Sequence, residues 1–175
     1  MMTGRVEIRR EQPGDVAAIR NVHDLAFGRP AEGTVVDRLR EVCPECVSLV
    51  AVVEGRIVGH VFFSPVVLES DEGRAVTGMG LAPLALLPEH QGQGIGTELA
   101  ASGLALAREL ACPFVVVLGH PGYYPRFGFE RASRHGIRCQ WEVPDEVFMV
   151  LVVGEDAIRG AKGVARYRSE WSDAT

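Results

Sequence analysis

Apolar and polar residues alternate along the first third of the chain in a way that predicts a strand followed by two helices. Residues 6–9 alternate strictly between the two classes, which is typical of a short strand. Residues 16–27 and 35–42 carry apolar side chains at helical spacing. We predict that Asp15 caps the first helix and Thr34 the second, because short polar side chains satisfy free helical N–H groups.

Three longer apolar stretches follow and predict antiparallel strands. Residues 48–53 and 57–68 are joined by Glu54-Gly55-Arg56, a short connection that favours a hairpin. Pro65 suggests a bulge or an edge in the second stretch. Residues 76–87 form the third stretch, which glycines and a proline interrupt. Such interruptions are expected where a strand bulges or where a backbone or ligand approaches closely.

The pattern after residue 96 adds a parallel strand to this arrangement. Residues 97–111 have helical spacing, and residues 114–118 are continuously apolar, as in a strand buried on both faces. Together with the preceding strand they predict a right-handed strand–helix–strand crossover. Further short strands are predicted at 129–132, 137–141 and 148–153. A loose tail is predicted over residues 158–171, in which residues 164–167 could add an edge strand.

Composition and charge exclude several classes of protein. The 175 residues carry a formal net charge of −5, whereas a nucleic-acid-binding face is basic. No apolar run approaches the roughly 20 residues that cross a bilayer, and residues 1–5 lack the apolar core of a secretory signal. We therefore expect a cytoplasmic protein with one domain over residues 1–175 and with neither nucleic acid nor membrane as a partner.

Cys43 and Cys46 have C-x-x-C spacing, but the surrounding pattern gives this motif little support. No second pair of Cys or His stands at the spacing that structural zinc requires. A thioredoxin-type motif has a strand before it and a helix after it, whereas here a helical pattern precedes and a strand follows. We expect ordinary thiols and no metal, with a metal or redox role as the alternative.

The turn between residues 87 and 97 carries the clearest chemical signal. An apolar strand ends at Pro88, glycines follow at 92, 94 and 96, and a helical pattern then begins. Glycines let backbone N–H groups face an anion, and the start of a helix adds a partial positive charge. The alternative is a plain corner, but each glycine costs conformational entropy, and a corner needs fewer. We predict a phosphate-binding turn.

Two common phosphate motifs do not fit this turn. The dinucleotide fingerprint G-x-G-x-x-G needs a final glycine, and that position falls on Thr97 or Leu99 depending on the starting glycine. The P-loop needs a lysine after its last glycine, and no lysine occurs between the turn and Lys162. The pattern that remains is Gln91-x-x-Gly94-x-Gly96.

This pattern resembles the pyrophosphate loop of the GNAT N-acetyltransferase superfamily, Q/R-x-x-G-x-G/A. Residues 124–129, Tyr-Pro-Arg-Phe-Gly-Phe, resemble its Y-x-x-x-G-F segment, and the order of elements over residues 5–155 fits as well. Residues 118–121 and 127–129 are most similar to the YhbS-type predicted acetyltransferases. The resemblance implies an α/β (α+β) GNAT-type fold, with a mixed, mostly antiparallel sheet that splays between strands four and five and is flanked by helices.

The resemblance also implies a reaction and its donor. An acetyl group would pass directly from acetyl-CoA, a cosubstrate, to a primary amine of a small molecule, protein or peptide. The alternative is a non-catalytic acyl-CoA sensor or interaction module, and a homodimer is left open. The cofactor-binding residues implied are Leu84, Ala85, Leu86, Gln91, Gly92, Gln93, Gly94, Ile95, Gly96, Thr97, Tyr124 and Phe127.

Three residues are candidates for catalysis. Tyr124 matches the tyrosine that serves as general acid in many superfamily members, and a phenol is protonated at neutral pH; the alternative is a packed aromatic. The base is open, since residues 76–87 contain no Asp, Glu or His. His120, after the fifth strand, could accept a proton or merely bond the turn. Glu32, which we place in the loop between the first two helices, could act as base or contact the acceptor.

The other histidines are assigned more modest roles. His23 falls on the apolar face of the first helix, so we expect it in the core. His60 lies within a strand and is expected to be structural. His90 stands beside the phosphate turn, where it could contact CoA.

Overall fold

The computed structural model describes residues 4–174. These residues group into two compact units. Unit 1 contains the chain up to Phe63, the segment Pro83–Ala105 and the residues from Ser169 onward; unit 2 contains Ser64–Ala82 and Leu106–Arg168. The single domain expected over residues 1–175 stays a prediction. Within residues 4–174 no helix combines the length and the apolar character that crossing a membrane requires.

The strands of unit 1 form an antiparallel arrangement. β1 (Val6–Arg10) pairs with β2 (Val47–Val53), which pairs with the first part of β3 (Arg56–Ser70). Glu54 and Gly55 both have positive φ, 50° and 78°, as a two-residue hairpin turn requires. The predicted first strand and hairpin are therefore confirmed.

Two helices, α1 (Val16–Phe27) and α2 (Ala31–Val42), contact each other in unit 1. Gly28 ends α1 in the left-handed region, at φ 66°. Asp15 stands at the N-cap position of α1, as predicted, but its side chain makes no cap hydrogen bond to this helix. Its carboxylate accepts hydrogen bonds from Arg9, at 2.7 and 3.2 Å, and from the Gln12 N–H at 2.7 Å. The Arg9 guanidinium lowers the pKa of Asp15.

The start of α2 corrects the prediction for Thr34 and Glu32. The helix begins at Ala31, so Thr34 lies inside it and its hydroxyl donates to the Pro30 carbonyl at 2.8 Å. Glu32 therefore belongs to the first turn of α2 and not to a loop. An acidic side chain is favourable there because it faces the positive end of the helix dipole.

The third helix packs on β3 through two glycines. α3 spans Ile95–Glu109, and its residues up to Ala105 belong to unit 1. A Cβ on Gly103 would overlap the Phe63 ring, and a Cβ on Gly59 would come within 2.9 Å of Leu99. The backbones of helix and strand approach this closely because neither glycine carries a side chain.

Unit 2 contains parallel and antiparallel strand pairs. Its further strands are β4 (Ala75–Leu86), β5 (Phe114–Leu118), β6 (Glu130–Arg131), β7 (Ile137–Cys139), β8 (Phe148–Val152) and β9 (Gly163–Tyr167), with a short α4 (Glu155–Ile158). The strands lie in the order β7, β9, β3, β4, β5, β8, β6. The β4–β5 and β7–β9 pairs are parallel, and β3–β9, β5–β8 and β6–β8 are antiparallel. The predicted α/β class with a mixed sheet flanked by helices is confirmed.

The glycines of β4 mark close approaches, as the sequence predicts. A Cβ on Gly78 would lie 2.5 Å from the Phe114 carbonyl oxygen, and one on Gly80 would lie 2.8 Å from the Tyr167 ring. The parallel register between β4 and β5 covers two pairs, which join residues 79–80 to residues 115–116. The hydrogen-bonded pairing of β4 with β5 thus ends at Gly80, whereas β4 itself continues to Leu86.

The strand offered at residues 164–167 is confirmed, but its predicted edge position is wrong. This segment forms β9, which lies between β3 and β7 rather than at an edge. Ala165 is fully buried in the apolar cluster of unit 2 together with Val66, Leu68 and Val116. The segment carries small residues in place of a clear apolar alternation, so its sequence signal is weak.

A chain of three polar side chains runs through the interior of unit 1. The His23 Nε2 and His60 Nδ1 atoms lie 2.8 Å apart, and His60 Nε2 lies 2.7 Å from the Ser48 hydroxyl. Both rings are fully buried, which confirms the core position predicted for His23 and the structural role predicted for His60. Burial lowers the pKa of His23 to about 4 and that of His60 well below its ordinary value.

The lowered pKa values of His23 and His60 predict that acid destabilises the fold. Below the unfolded-state pKa of about 6.5 the unfolded chain binds protons that these buried rings reject, so stability falls as the pH drops. Between pH 7 and pH 4.5, His23 alone should cost about 2 kcal/mol of unfolding free energy. Urea unfolding across this range measures the slope. His23→Gln keeps a hydrogen-bonding group without titrating and should flatten the slope; an unchanged slope would contradict the account.

Candidate active site

The glycine turn of unit 1 has a conformation that only glycine adopts readily. Gly92 and Gly94 have φ values of 74° and 84°. A Cβ at either position would meet nothing within 4 Å, so backbone conformation and not crowding requires glycine there. The Gly94 carbonyl accepts the Glu98 N–H at 3.1 Å, which starts α3. The predicted turn and helix start are therefore confirmed.

The turn presents a row of available N–H groups. The backbone N–H groups of residues 92–96 donate no hydrogen bond to any acceptor within residues 4–174. Residues 91–94 are exposed, whereas Ile95 and Gly96 are buried. The first turn of an α-helix leaves N–H groups unpaired and carries a partial positive charge. This geometry is suited to an anion such as a phosphate group.

Side chains of the turn anchor it to the end of β4. The Gln91 amide donates to the Leu86 carbonyl at 3.2 Å, and the Gln93 amide donates to the Glu89 carbonyl at 3.1 Å. The Leu87 N–H bonds the Val58 carbonyl at 2.8 Å. The structure thus brings the predicted strand residues 84–86 and the predicted turn residues 91–97 together in unit 1.

His90 directly precedes the phosphate turn, and this position is the basis of its predicted contact with CoA. Its Nδ1 atom is buried and has no hydrogen-bond partner among residues 4–174. The ring stands at the end of the one-turn helix Pro88–His90, directly before Gln91. An unpaired nitrogen here is a further polar group beside the turn, and its contact with CoA stays a prediction.

In unit 2, Tyr124 begins the short helical turn Tyr124–Phe127, which Gly128 ends at φ 98°. Its ring lies edge-on to those of Tyr123 and Phe129, with centroids 5.0 and 5.8 Å away, and 6.3 Å from that of Phe127. A Cβ on Gly119 would overlap this ring. This packing holds the Tyr124 ring in one position. Gly119, immediately after β5, is the sequence signal for the close packing, and it was not predicted.

The phenol of Tyr124 is held in its protonated form. Tyr124 is 9% exposed, and burial, with a smaller contribution from Tyr123, raises its pKa to about 12. Its hydroxyl has no hydrogen-bond partner among residues 4–174. Tyr124 can therefore donate a hydrogen bond to a ligand throughout the neutral range.

His120 lies in the same turn of unit 2 as Tyr124. Its carbonyl accepts the N–H groups of Tyr123 at 3.0 Å and Tyr124 at 3.4 Å. The residue is exposed, so its imidazole is open to solvent. His120 and Tyr124 are thus brought together, and the hydrogen bonds of the turn are made by the backbone and not by the imidazole.

Glu32 is positioned by Arg29 in unit 1. The Arg29 guanidinium donates to both carboxylate oxygens, with distances of 2.5, 3.0 and 3.3 Å. Glu32 is 9% exposed, although Arg29 is largely in solvent. This ion pair was not predicted, although the i,i+3 spacing of the two residues is the sequence signal for it.

Cys43 and Cys46 both carry free thiols. Cys43 is buried, and its Sγ donates to the Glu45 carboxylate at 3.4 Å. Within residues 4–174 no group of three or more His, Cys, Asp or Glu side chains is arranged to hold a metal ion.

Comparison with known proteins identifies the family. A family model described as an acetyltransferase (GNAT) domain matches residues 7–132. The chain is 37% identical over 169 residues to the uncharacterized N-acetyltransferase YhbS of Escherichia coli K12, covering 96% of this chain and 97% of that protein. It is also 38% identical over 135 residues to YjhQ from the same organism, covering 75% of this chain and 74% of that one.

Solved structures agree with the sequence comparison. The structure of E. coli YhbS in complex with CoA matches with a TM-score of 0.88 and 35% identity, over 97% of this chain and 93% of that chain. A GNAT acetyltransferase from Brucella melitensis in complex with acetyl-CoA matches with a TM-score of 0.79 and 35% identity, over 95% and 98% of the two chains. The chain belongs to the GNAT family of acetyltransferases. It is an acyltransferase, and the family resemblance predicted from the sequence is confirmed.

The packing of Tyr124 on Gly119 gives a test within unit 2. Gly119→Ala would place a methyl group against the Tyr124 ring, and overpacking of this kind costs about 1–3 kcal/mol. We expect a lower unfolding free energy in urea. Gly122→Ala is the control, because a Cβ there meets nothing within 4 Å. Equal stability of the two variants would show that the ring does not rest on Gly119.

Proposed function

We propose that this protein transfers an acetyl group from acetyl-CoA to a primary amine, with Tyr124 as general acid. The observation that carries the proposal is the row of unpaired N–H groups at residues 92–96, at the start of α3. Relatives that are about 35% identical over nearly the whole chain are bound to CoA and acetyl-CoA, which supports these ligands as the natural occupants.

The donor would be held by backbone groups and by few side chains. The N–H groups of residues 92–96 would bind the pyrophosphate, where negative charge is favoured by the helix dipole. The pantetheine arm carries amides, and these would pair with the backbone of Leu84–Leu86. The Gln91 amide, bonded to the Leu86 carbonyl, would keep strand end and turn in a fixed relation. No metal takes part in this proposal.

The acid assignment is supported by the buried position of Tyr124 and by its hydroxyl, which has no hydrogen-bond partner among residues 4–174 and stays protonated at neutral pH. When the neutral amine attacks the thioester carbonyl, the nitrogen becomes cationic and the sulfur leaves as a thiolate. A phenol with a pKa of about 12 keeps its proton at neutral pH until the reaction begins. It donates a hydrogen bond to the developing thiolate and passes its proton to sulfur. The base accepts the proton that the nitrogen releases, and the phenol is reprotonated through solvent.

His120 is the better candidate for the base. Imidazole can accept a proton near neutral pH, and this one is exposed in the turn that carries Tyr124. The Glu32 carboxylate is already engaged by Arg29, so we assign it a contact with the acceptor and not proton removal.

Replacing Gly94 tests donor binding. Gly94→Val forces a β-branched residue into a left-handed conformation and reorients the N–H groups of the turn. We expect acetyl-CoA to bind roughly tenfold or more weakly by calorimetry, as for the loss of charge-assisted hydrogen bonds. Gly73→Val is the matched control, because Gly73 has a φ of 88° and equally open surroundings in a hairpin loop. Equal acetyl-CoA affinity in both variants would remove the turn from the site.

Replacing Tyr124 tests the acid. Tyr124→Phe keeps the ring and removes the hydroxyl, so kcat should fall roughly 100-fold while the acetyl-CoA dissociation constant hardly changes. Tyr123→Phe serves as the control and should retain activity. Thiol release from acetyl-CoA in the presence of an amine panel gives the rate. A fully active Tyr124→Phe would eliminate the acid role, and donor binding without thiol release for any amine would favour the non-catalytic sensor.

A further inference from the structure

Unit 2 contains a cavity of about 240 Å³ that donor binding and acid catalysis leave unused. It is lined by residues between positions 133 and 148, on β7 and on both sides of it in the chain. Its walls are largely apolar, from Ile137, Trp141, Val143, Pro144 and Phe148. The Trp141 ring is half-buried and fixed against Tyr167, with ring centroids 5.0 Å apart. A site of this kind accepts a hydrocarbon body.

The charged residues of the cavity leave one carboxylate without a counter-ion. Arg138 is paired with Asp71 at 2.9 Å, and Asp145 is paired with Arg131 at 3.3 Å. Glu142 also lines the cavity, and among residues 4–174 it has no ion pair or hydrogen bond. The cavity therefore presents apolar walls and one negative charge that is not neutralised.

The cavity lies at the end of unit 2 that also carries Tyr124. Its wall residue Phe148 pairs with Leu118 at the end of β5. The next residue, Gly119, donates its N–H to the Val147 carbonyl at 2.9 Å. The Tyr124 ring packs on Gly119. The backbone that shapes one wall of the cavity is thus bonded to the backbone that supports the candidate acid.

We propose that this cavity binds the acetyl acceptor, and that the acceptor is a primary amine with a hydrocarbon body and a second cationic group. The inference rests on the proposed function. The apolar walls hold the hydrocarbon, and Glu142 holds the second cation. The carboxylate does not hold the reacting nitrogen, because a neighbouring negative charge keeps an amine protonated, and a protonated amine cannot attack the thioester. An acceptor that carries a carboxylate is disfavoured by repulsion from Glu142.

Three five-carbon amines test this assignment: 1,5-diaminopentane, pentylamine and 5-aminopentanoate. We expect kcat/KM to be roughly tenfold higher for the diamine than for pentylamine, as for a charge-assisted contact, and lowest for 5-aminopentanoate. Glu142→Gln should abolish the advantage of the diamine over pentylamine. Glu146→Gln is the matched control, because Glu146 is exposed in the same segment and does not line the cavity.

Calorimetric binding of the same amines to the CoA-saturated protein separates this proposal from the proposed function. Diamine binding that depends on Glu142, without acetyl transfer, would support the cavity assignment and refute the transferase reaction. Transfer with equal efficiency for the diamine and pentylamine would leave the transferase function intact and overturn the cavity assignment. A Glu142→Gln effect of the same size on both amines would also overturn it, as would the absence of diamine binding.

Discussion

The proposed donor site depends on one backbone constraint, the left-handed conformation of Gly92 and Gly94 before α3. A helix that begins after such a turn exposes a continuous set of N–H groups in place of side chains. The turn is held in that state by Gln91 and Gln93, whose amides bond the carbonyls of Leu86 and Glu89. An anion site built from backbone requires no cationic side chain, which is consistent with a chain whose net charge is −5.

The candidate acid in unit 2 depends on a different physical effect, the burial of a phenol. Tyr124 is packed among aromatic rings and on Gly119, so its ring is fixed and its pKa is raised. In unit 1 the same cause, burial, lowers the pKa values of His23 and His60. In each case burial favours the neutral form: for the histidines this makes stability depend on pH, and for the tyrosine it preserves a proton donor.

Local sequence was sufficient where local physics decides the structure. The glycine turn, the hairpin at Glu54 and the end of α1 at Gly28 follow from backbone preferences and were predicted. The start of α2 was missed because Pro30 and Glu32 favour an earlier beginning than the cap predicted at Thr34. A strand at residues 164–167 was offered only as an edge strand; the place of β9 between β3 and β7 was not predicted, because it depends on strands that are distant in sequence.

The candidate site likewise has one part that local sequence predicts and another that depends on residues distant in sequence. The turn could be located from Gln91 to Gly96 because each element of an anion cradle lies within one segment. The cavity residue Glu142 could not be recognised, since its significance comes from the pairing of Arg138 with Asp71 and of Asp145 with Arg131. Which carboxylate remains without a counter-ion is a property of the folded chain, and no local pattern encodes it.

The most direct test of the central claim is the response of individual backbone amides to acetyl-CoA in a ¹H–¹⁵N NMR titration. The account predicts that the amide protons of residues 92–96 shift downfield together as they bond to phosphate oxygens. The amides of Gly55 and Gly73, which lie in hairpin turns, should stay in place. Saturable binding of acetyl-CoA that moves other amides and leaves residues 92–96 unchanged would contradict the account.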